Sequence, residues 1–440
     1  MKFKSYPKYK ESGIQWIGLI PKKWKIIPVR GVCKLGRGRV ISNQEIEENQ
    51  GKYPVFSSQT SNNGEMGKID TYDFDGEYVT WTTDGANAGT TFYRNGKFNC
   101  TNVCGTLKRK NNKIHMKLLP YILNRISEYH VRYDINPKLM NDMMARIKIP
   151  LPMLNNQIII SKFLDKKTAE IDEFIGKDKK LIELLKEKRT ALINHAVTKG
   201  LPVRRTQTGL DQNVKMKDSG IEWIGEIPED WEILRLRYLL KNGIEGIKIG
   251  PFGSMLKSDE ITNNGYKVYG QENVINRNFN KGSRYINEDK FKQLIGYQIH
   301  PGDLIITMMG TIGKAQIIPT IIDEGIMDSH LIRLRFNGKV ETKFIEILIN
   351  SSNYIKGEIK YFSKGSIMEG LNSGIIKDLL LCIPQKIEQT KIIQFVNRKV
   401  TKIDKTIQKI EEKINFLEEY KKSLIHHTVT GKIDVRGSGI

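Results

Sequence analysis

The chain has 440 residues, 39% hydrophobic and 27% charged, with a formal net charge of +22. That length allows about two to four domains and the composition is that of a soluble globular protein; no apolar run reaches the roughly 18–20 residues of a membrane span. The N-terminal MKFKSYPKYKESG lacks the apolar core of a secretory signal, and four cysteines without a CxxC pair exclude a disulfide scaffold and point to the cytoplasm.

So large a positive charge is explained most economically by a polyanion, because lysine and arginine that neutralise phosphates release condensed counterions. AT-rich coding that favours lysine is the other explanation. Charge alone does not separate DNA from RNA or from an acidic membrane surface.

In chain order, the first feature is residues 10–30, KESGIQWIGLIPKKWKIIPVR. It returns as KDSGIEWIGEIPEDWEILRLR at 217–237, 207 positions later and with 12 of 21 residues identical. A second pair, residues 152–198 and 384–430, aligns at an offset of 232 and ends in ALINHAVT and SLIHHTVT. A repeat this long is a duplicated domain, not a solenoid. The expected organisation is a first globular domain over 1–153, a long helix over 154–199 and a connector over 200–216. A second domain follows over 217–384, then a second long helix over 385–430 and a tail over 431–440.

Both globular segments read as α+β. Between 31 and 150, YPVFSS, EYVTWTT, TTFY and RNGKFN are short alternating runs separated by Gly/Asn turns. Between 238 and 383, YKVYG, LIITMMG, TIGKAQIIP and HLIRLRF do the same. Each ends in a helical stretch, KLLPYILNRISEYH and KFIEILINSSNYIK.

The long helices carry a seam at spacings of three and four: Ile171, Ile175, Ile182, Leu185 and Leu192 in the first. In the second it is Ile403, Ile407, Ile410, Ile414, Leu417 and Leu424. Such a seam lays one helix along another. Asp178 and Arg189 interrupt the first, and Lys421 aligns with Arg189 in the second. Polar seam residues fix register; a snorkelling cation at the seam edge is the competing reading.

Catalytic signatures are missing. Gly310-Thr311-Ile312-Gly313-Lys314-Ala315 lacks the first glycine (Met308) and the Ser/Thr (Ala315) of a phosphate loop. Asn136-Pro137-Lys138 lacks the second proline and aromatic residue of an amino-methyltransferase site, and Gly36-Arg37-Gly38 is an isolated Gly-x-Gly. Cys100, Cys104 and His115 lack a fourth metal ligand and a finger spacing. No catalytic residue and no metal site is expected. His195 and His427 sit near the helix ends, where an imidazole complements the negative pole; a proton switch or a ligand is the alternative. Trp16, Trp24, Trp223 and Trp231 are read as packing staples, since identical base contacts in both copies would not give two specificities.

The inserts carry the polar inventory suited to nucleic acid. The first offers Arg37, Arg39, Ser57, Ser58, Gln59, Thr60, Asn62, Asn63, Asp84 and Asn87. The second offers Lys248, Ser254, Lys257, Gln271, Asn273, Arg277, Lys314, Lys364 and Ser366. Asn and Gln pair bidentately with adenine and Arg with guanine, whereas Lys, Ser and amides hold phosphates. Taken singly, each reads as a solvated loop residue; only together do they point to nucleic acid.

With SGIQWIGLIPKKW at 12–24, SGIEWIGEIPEDW at 219–231 and helices ending HAVTKGL and HHTVTGKI, the chain resembles the specificity subunit of a type I restriction–modification enzyme. GPFGS at 250–254 and PGDLIIT with GTIGK at 301–314 resemble that family's target-recognition domains, and EYVTWTTDGANAG at 77–89 is a looser echo. The resemblance implies two α+β target-recognition domains separated by two long antiparallel coiled-coil-like helices, with a pseudo-twofold internal repeat. It implies that each domain reads one half of a bipartite site on double-stranded DNA. The helices would set the gap and dock two methyltransferase subunits, alongside restriction/translocase subunits. S-adenosylmethionine, ATP and Mg would belong to those partners, with no cofactor in this chain and no membrane partner. Ser438-Gly439-Ile440 begins the repeated motif a third time. Two other readings remain: a bivalent DNA-binding scaffold without sequence preference, and a self-sufficient DNA methyltransferase.

Overall fold

A computed structural model describes residues 3–133, 136–201, 215–252, 254–363 and 371–437. Most of the connector, the Ser438–Ile440 tail, Lys364 and Ser366 lie outside the described residues. The chain forms two compact units, residues 1–179 with 410–440 and residues 180–409, so the division falls inside both long helices, Leu154–Thr198 and Lys386–Val429. Among the described residues no helix is long and apolar enough to cross a membrane.

Each unit is founded on one copy of the repeated motif. In the first, Tyr9–Glu11 pairs antiparallel with Leu19–Pro21, placing Tyr9 opposite Pro21. Lys25–Pro28 then pairs with Lys148–Leu151, which returns after the insert, placing Ile27 opposite Ile149. The second unit repeats both pairings: Met216 opposite Pro228, and Leu234 opposite Leu381. The two copies thus share a register, and each insert leaves and re-enters through a two-stranded stem.

The inserts are the unexpected part. Their sequences share little, yet their topology is the same. Insert one has a four-stranded antiparallel sheet in the order Cys33–Arg37, Cys104–Arg109, Glu77–Thr82, Thr91–Asn95. Insert two has Ile247–Ile249, Leu331–Leu334, Leu304–Thr307, Ala315–Ile317 in the corresponding order, again antiparallel throughout. Each adds a three-stranded sheet with one antiparallel and one parallel pairing. These are Glu65–Ile69, Gln50–Phe56 and Asn99–Cys100 in the first, and Tyr285–Ile286, Tyr266–Tyr269 and Gly325–Met327 in the second.

One close approach is duplicated with the sheets. A Cβ on Gly38 would lie 2.1 Å from the Cys100 carbonyl oxygen, and one on Gly250 would lie 1.7 Å from that of Asp328. Both glycines follow the first strand of the four-stranded sheet, where two backbones meet and no side chain fits.

The long helices are antiparallel. In the first unit Asp178 meets Lys413 at 2.8 Å and Asp172 meets Lys421 at 2.6 Å, so partner numbers rise as helix-one numbers fall. In the second unit Arg189 meets Asp404 at 3.0 Å. At the repeat offset Arg189 corresponds to Lys421 and Asp404 to Asp172, so one ion pair is built twice. Asp178–Lys413 has no such counterpart, because Ile410 and Leu181 occupy the matching positions. Of the seam residues, Ile171, Ile175, Ile182, Ile403, Ile414 and Leu424 are buried, and Leu185, Leu192, Ile407, Ile410 and Leu417 are half-buried.

Each motif packs on a helix end. The Tyr9 hydroxyl donates to the Gly431 carbonyl (3.1 Å) and the Lys432 ammonium to that of Leu19 (2.7 Å). In the second unit the Lys199 ammonium donates to the Glu226 carbonyl, the position matching Leu19. Gly431 and Gly200, at φ of +72° and +81°, end the two helices in the left-handed region that favours glycine. Trp24 and Trp231 are buried beside them. The packing reading therefore holds for these two tryptophans. Trp16 is half-buried and stacks on Tyr129, whereas Trp223 is 59% exposed and is not a core staple.

Candidate nucleic-acid interface

In insert one, strands Gln50–Phe56 and Glu65–Ile69 are joined by the loop 57–64, closed at its base where the Ser57 N–H donates to the Gly64 carbonyl (2.9 Å). Three successive residues, Asn62, Asn63 and Gly64, have φ of 47°, 53° and 83°. Asparagine and glycine tolerate that region better than other residues do. The turn throws Thr60, Asn62 and Asn63 to the surface. The Asn87 amide reaches back to the Ser58 carbonyl (3.5 Å) and Gln59 donates to the Glu65 carbonyl. Ser57, Ser58, Gln59, Thr60, Asn62, Asn63 and Asn87 therefore form one cluster.

Arg94 braces this loop from beneath, and the sequence reading missed it. It is 4% exposed, with its guanidinium 3.5 Å from the Phe56 ring centroid. It donates to the Asn63 carbonyl (2.8 Å) and the Thr80 hydroxyl (3.2 Å). Burial lowers its pKa to about 10, which still leaves it charged at neutral pH.

The flanking cations are partly engaged. Arg37 lies 3.8 Å from the Asp84 carboxylate, which Lys138 approaches at 4.0 Å and to which the Thr83 hydroxyl donates (2.9 Å). Arg39 is held by Glu45 (2.6 Å) and Asp73 (3.0 Å), and the bond to Glu45 raises its pKa. A guanidinium shared by two carboxylates has little left to offer guanine unless those pairs open.

Insert two gathers two groups. In one, the Gln271 side chain accepts from the Met309 N–H (3.3 Å), tying the short helix Gln271–Ile275 to the turn that carries Lys314. Arg284 pairs with Asp328 (2.9 Å) and Glu272 (3.2 Å) alongside. In the other, Lys248 sits over the Tyr297 ring (4.7 Å), whose hydroxyl meets the Met255 sulfur (3.5 Å) next to exposed Ser254 and Lys257. Arg277 is exposed at φ 52°.

Asn273 belongs to the scaffold. It is 1% exposed, accepts from the Gly270 N–H (2.9 Å) and donates to the Asn278 and Lys281 carbonyls (3.0 and 2.7 Å). Its amide ties the helix Gln271–Ile275 to the turn that follows it and is not presented to a ligand. Two glutamines at equivalent positions were also missed. Buried Gln157 accepts from the His115 N–H and donates to the Pro152 carbonyl, and Gln389 does the same with Glu341 and Pro384. They clamp each long helix to its insert.

His195 and His427 are exposed near the helix ends. The neighbouring His426 is half-buried, and its Nδ1 accepts from Arg125 (3.2 Å). All four cysteines are buried thiols, and among the described residues no group of three or more His, Cys, Asp or Glu could hold a metal.

Residues 21–184 and 228–418 match the family described as type I restriction modification DNA specificity domain. The Mycoplasma pneumoniae protein named putative type I specificity subunit S.MpnORF289P N-terminus is 48% identical over 142 residues, 32% of this chain and 76% of its own length. For that organism's type I restriction enzyme MpnII specificity subunit the match is 44% over 137 residues, 31% of this chain but only 41% of the relative. The Methanocaldococcus jannaschii type I restriction enzyme MjaVIII specificity subunit is 25% identical across 97% of both chains. Among solved structures, a chain from a study of complex assembly and conformational transition in the type I R-M system superposes with a TM-score of 0.68 at 12% identity, covering 94% of this chain and 99% of that one. The HsdS subunit from Thermoanaerobacter tengcongensis gives 0.54 at 11% identity, covering 96% and 100%. At those identities the likeness speaks to the fold.

Proposed function

Because this chain belongs to the type I restriction–modification DNA specificity family, we propose that it supplies the DNA sequence preference of such a complex, each insert reading one half of a bipartite site. The observation that carries this reading is one sheet topology built twice on a duplicated frame, with unlike loop residues on each copy. A shared scaffold with divergent loops is what two readers of two different half-sites require.

In this reading the loop 57–64 with Asn87 makes base contacts in the first half. The Gln271–Lys314 group, with Arg277 exposed on the loop beyond Gln271, does so in the second. Lys248, Ser254 and Lys257 hold phosphate. Lys364 and Ser366 remain candidates on sequence grounds alone. The paired helices act as the spacer: a second module binds at high effective concentration only when the spacing fits. A separation near one DNA turn, roughly 34–36 Å, presents both half-sites on one face. Two methyltransferase subunits dock on this chain and carry S-adenosylmethionine; restriction/translocase subunits bring ATP and Mg.

The test is to purify the chain with its methyltransferase subunits and map methylated adenines on random-sequence DNA. A split motif with an unread gap is expected. A contiguous motif, or methylation without preference, would refute the reading. Methyl transfer by this chain alone would favour the self-sufficient enzyme.

A further inference from the structure

The two copies of the frame differ in one respect that symmetry makes conspicuous. In the second copy the Trp231 indole N–H donates to the Glu388 carboxylate (3.1 Å). In the first copy the corresponding residues are Trp24 and Asn156. Asn156 supplies no carboxylate, and among the described residues Trp24 makes no side-chain hydrogen bond. In its place is a cavity of about 320 Å³ that both Trp24 and Asn156 line. Tyr6 also lines it; that residue is only 7% exposed, and its hydroxyl is buried without a partner.

Charge follows the same division. Lys22 and Lys23, at the rim of the cavity, stand where the second copy has Glu229 and Asp230. All four are exposed, and none forms an ion pair among the described residues. Arg436, also on the wall, is already committed to Asp434 (2.6 Å). The second copy therefore carries its own carboxylate behind an acidic rim. The first has an open cavity, an unused indole donor and a cationic rim.

We propose that this cavity is a binding site for a carboxylate carried by a partner polypeptide, which takes the place that Glu388 fills in the other copy. The Trp24 indole donates to it, and Lys22 and Lys23 draw it in. The apolar wall of Pro7, Pro21 and Met153 covers the aliphatic part of the side chain. That wall favours a carboxylate on a hydrocarbon stem over a phosphodiester, which is flanked by sugars and stays hydrated. The site does not depend on how the inserts read DNA.

The test is ¹⁹F NMR of the full chain labelled with 5-fluorotryptophan, titrated at about 0.15 M salt, where exposed charges are screened. The probe is a hexaglutamate peptide blocked at both ends, with inorganic phosphate and a 20-base-pair duplex as comparisons. The peptide is expected to shift the Trp24 resonance, assigned from the Trp24→Phe variant, and to leave Trp231 in place. Asn156→Glu, which copies the second frame, should weaken peptide binding at least tenfold, as should the exposed pair Lys22→Glu with Lys23→Asp. The latter carries the test if Asn156→Glu does not fold. A peptide that leaves Trp24 unmoved overturns the proposal, as does binding that survives these variants. Equal shifts by phosphate or duplex would make the region a general polyanion surface and overturn it too.

Discussion

Lengthening both long helices by one heptad tests the spacer directly. Insertion between Lys180 and Leu181, and between Glu411 and Glu412, falls between opposing residues, because the ion pairs Asp178–Lys413 and Arg189–Asp404 bracket that point. Seven residues at 1.5 Å each add about 10.5 Å, and a heptad keeps the apolar seam in phase. At roughly 3.4 Å per base pair this corresponds to about three base pairs. Those three steps also turn the far half-site by about 100°, given 10–10.5 base pairs per turn. The preferred gap should therefore grow by about three, with weaker binding from the residual twist mismatch. Methylated-adenine mapping of the reassembled complex reads both. An unchanged gap would refute the spacer reasoning, whatever the affinity.

Three further outcomes follow from particular contacts. Gly38→Ala drives a Cβ into the Cys100 and Thr101 carbonyls, at 2.1 and 2.4 Å, and should cost about 1–3 kcal/mol in chemical denaturation of insert one. A double-mutant cycle on Arg189 and Asp404 should give a coupling of about 0.2–1 kcal/mol that shrinks in high salt, because both partners are substantially exposed. Burial, with Arg125, His427 and Lys432 nearby, lowers the His426 pKa from 6.5 to about 4, so the native state prefers it neutral. Its contribution is thus present above pH 6.5 and lost as pH falls towards 4. Calorimetry should show Tm falling across that window, and His426→Gln should flatten the fall.

The seam was legible in the sequence because helical period is written in apolar spacing, and the frame because a gapless repeat needs no alignment of homologues. The shared topology of the inserts was not legible. Strands such as Glu77–Thr82 and Leu304–Thr307 occupy the same place in their sheets with no common residue pattern beyond apolar character. The looser echo at 77–89 was the trace of that equivalence. Gly36-Arg37-Gly38, dismissed as an isolated pair, contains the counterpart of Gly250.

Individual site residues were harder for a chemical reason: the groups that read bases also cap loops and pair with neighbours. Asn273 is spent on the backbone around its own short helix and Arg39 on Glu45 and Asp73, which nothing in local spacing announces. Arg94 was invisible because a buried arginine within TTFYR looks like any outward-facing strand cation until its partners are known.

The most direct measurement of the central claim exchanges residues 31–150 for the first insert of another family member and maps methylated adenines with the same methyltransferase subunits. The account predicts a new first half-site, with the second half-site and the gap unchanged. A change in both halves, or in neither, would contradict it.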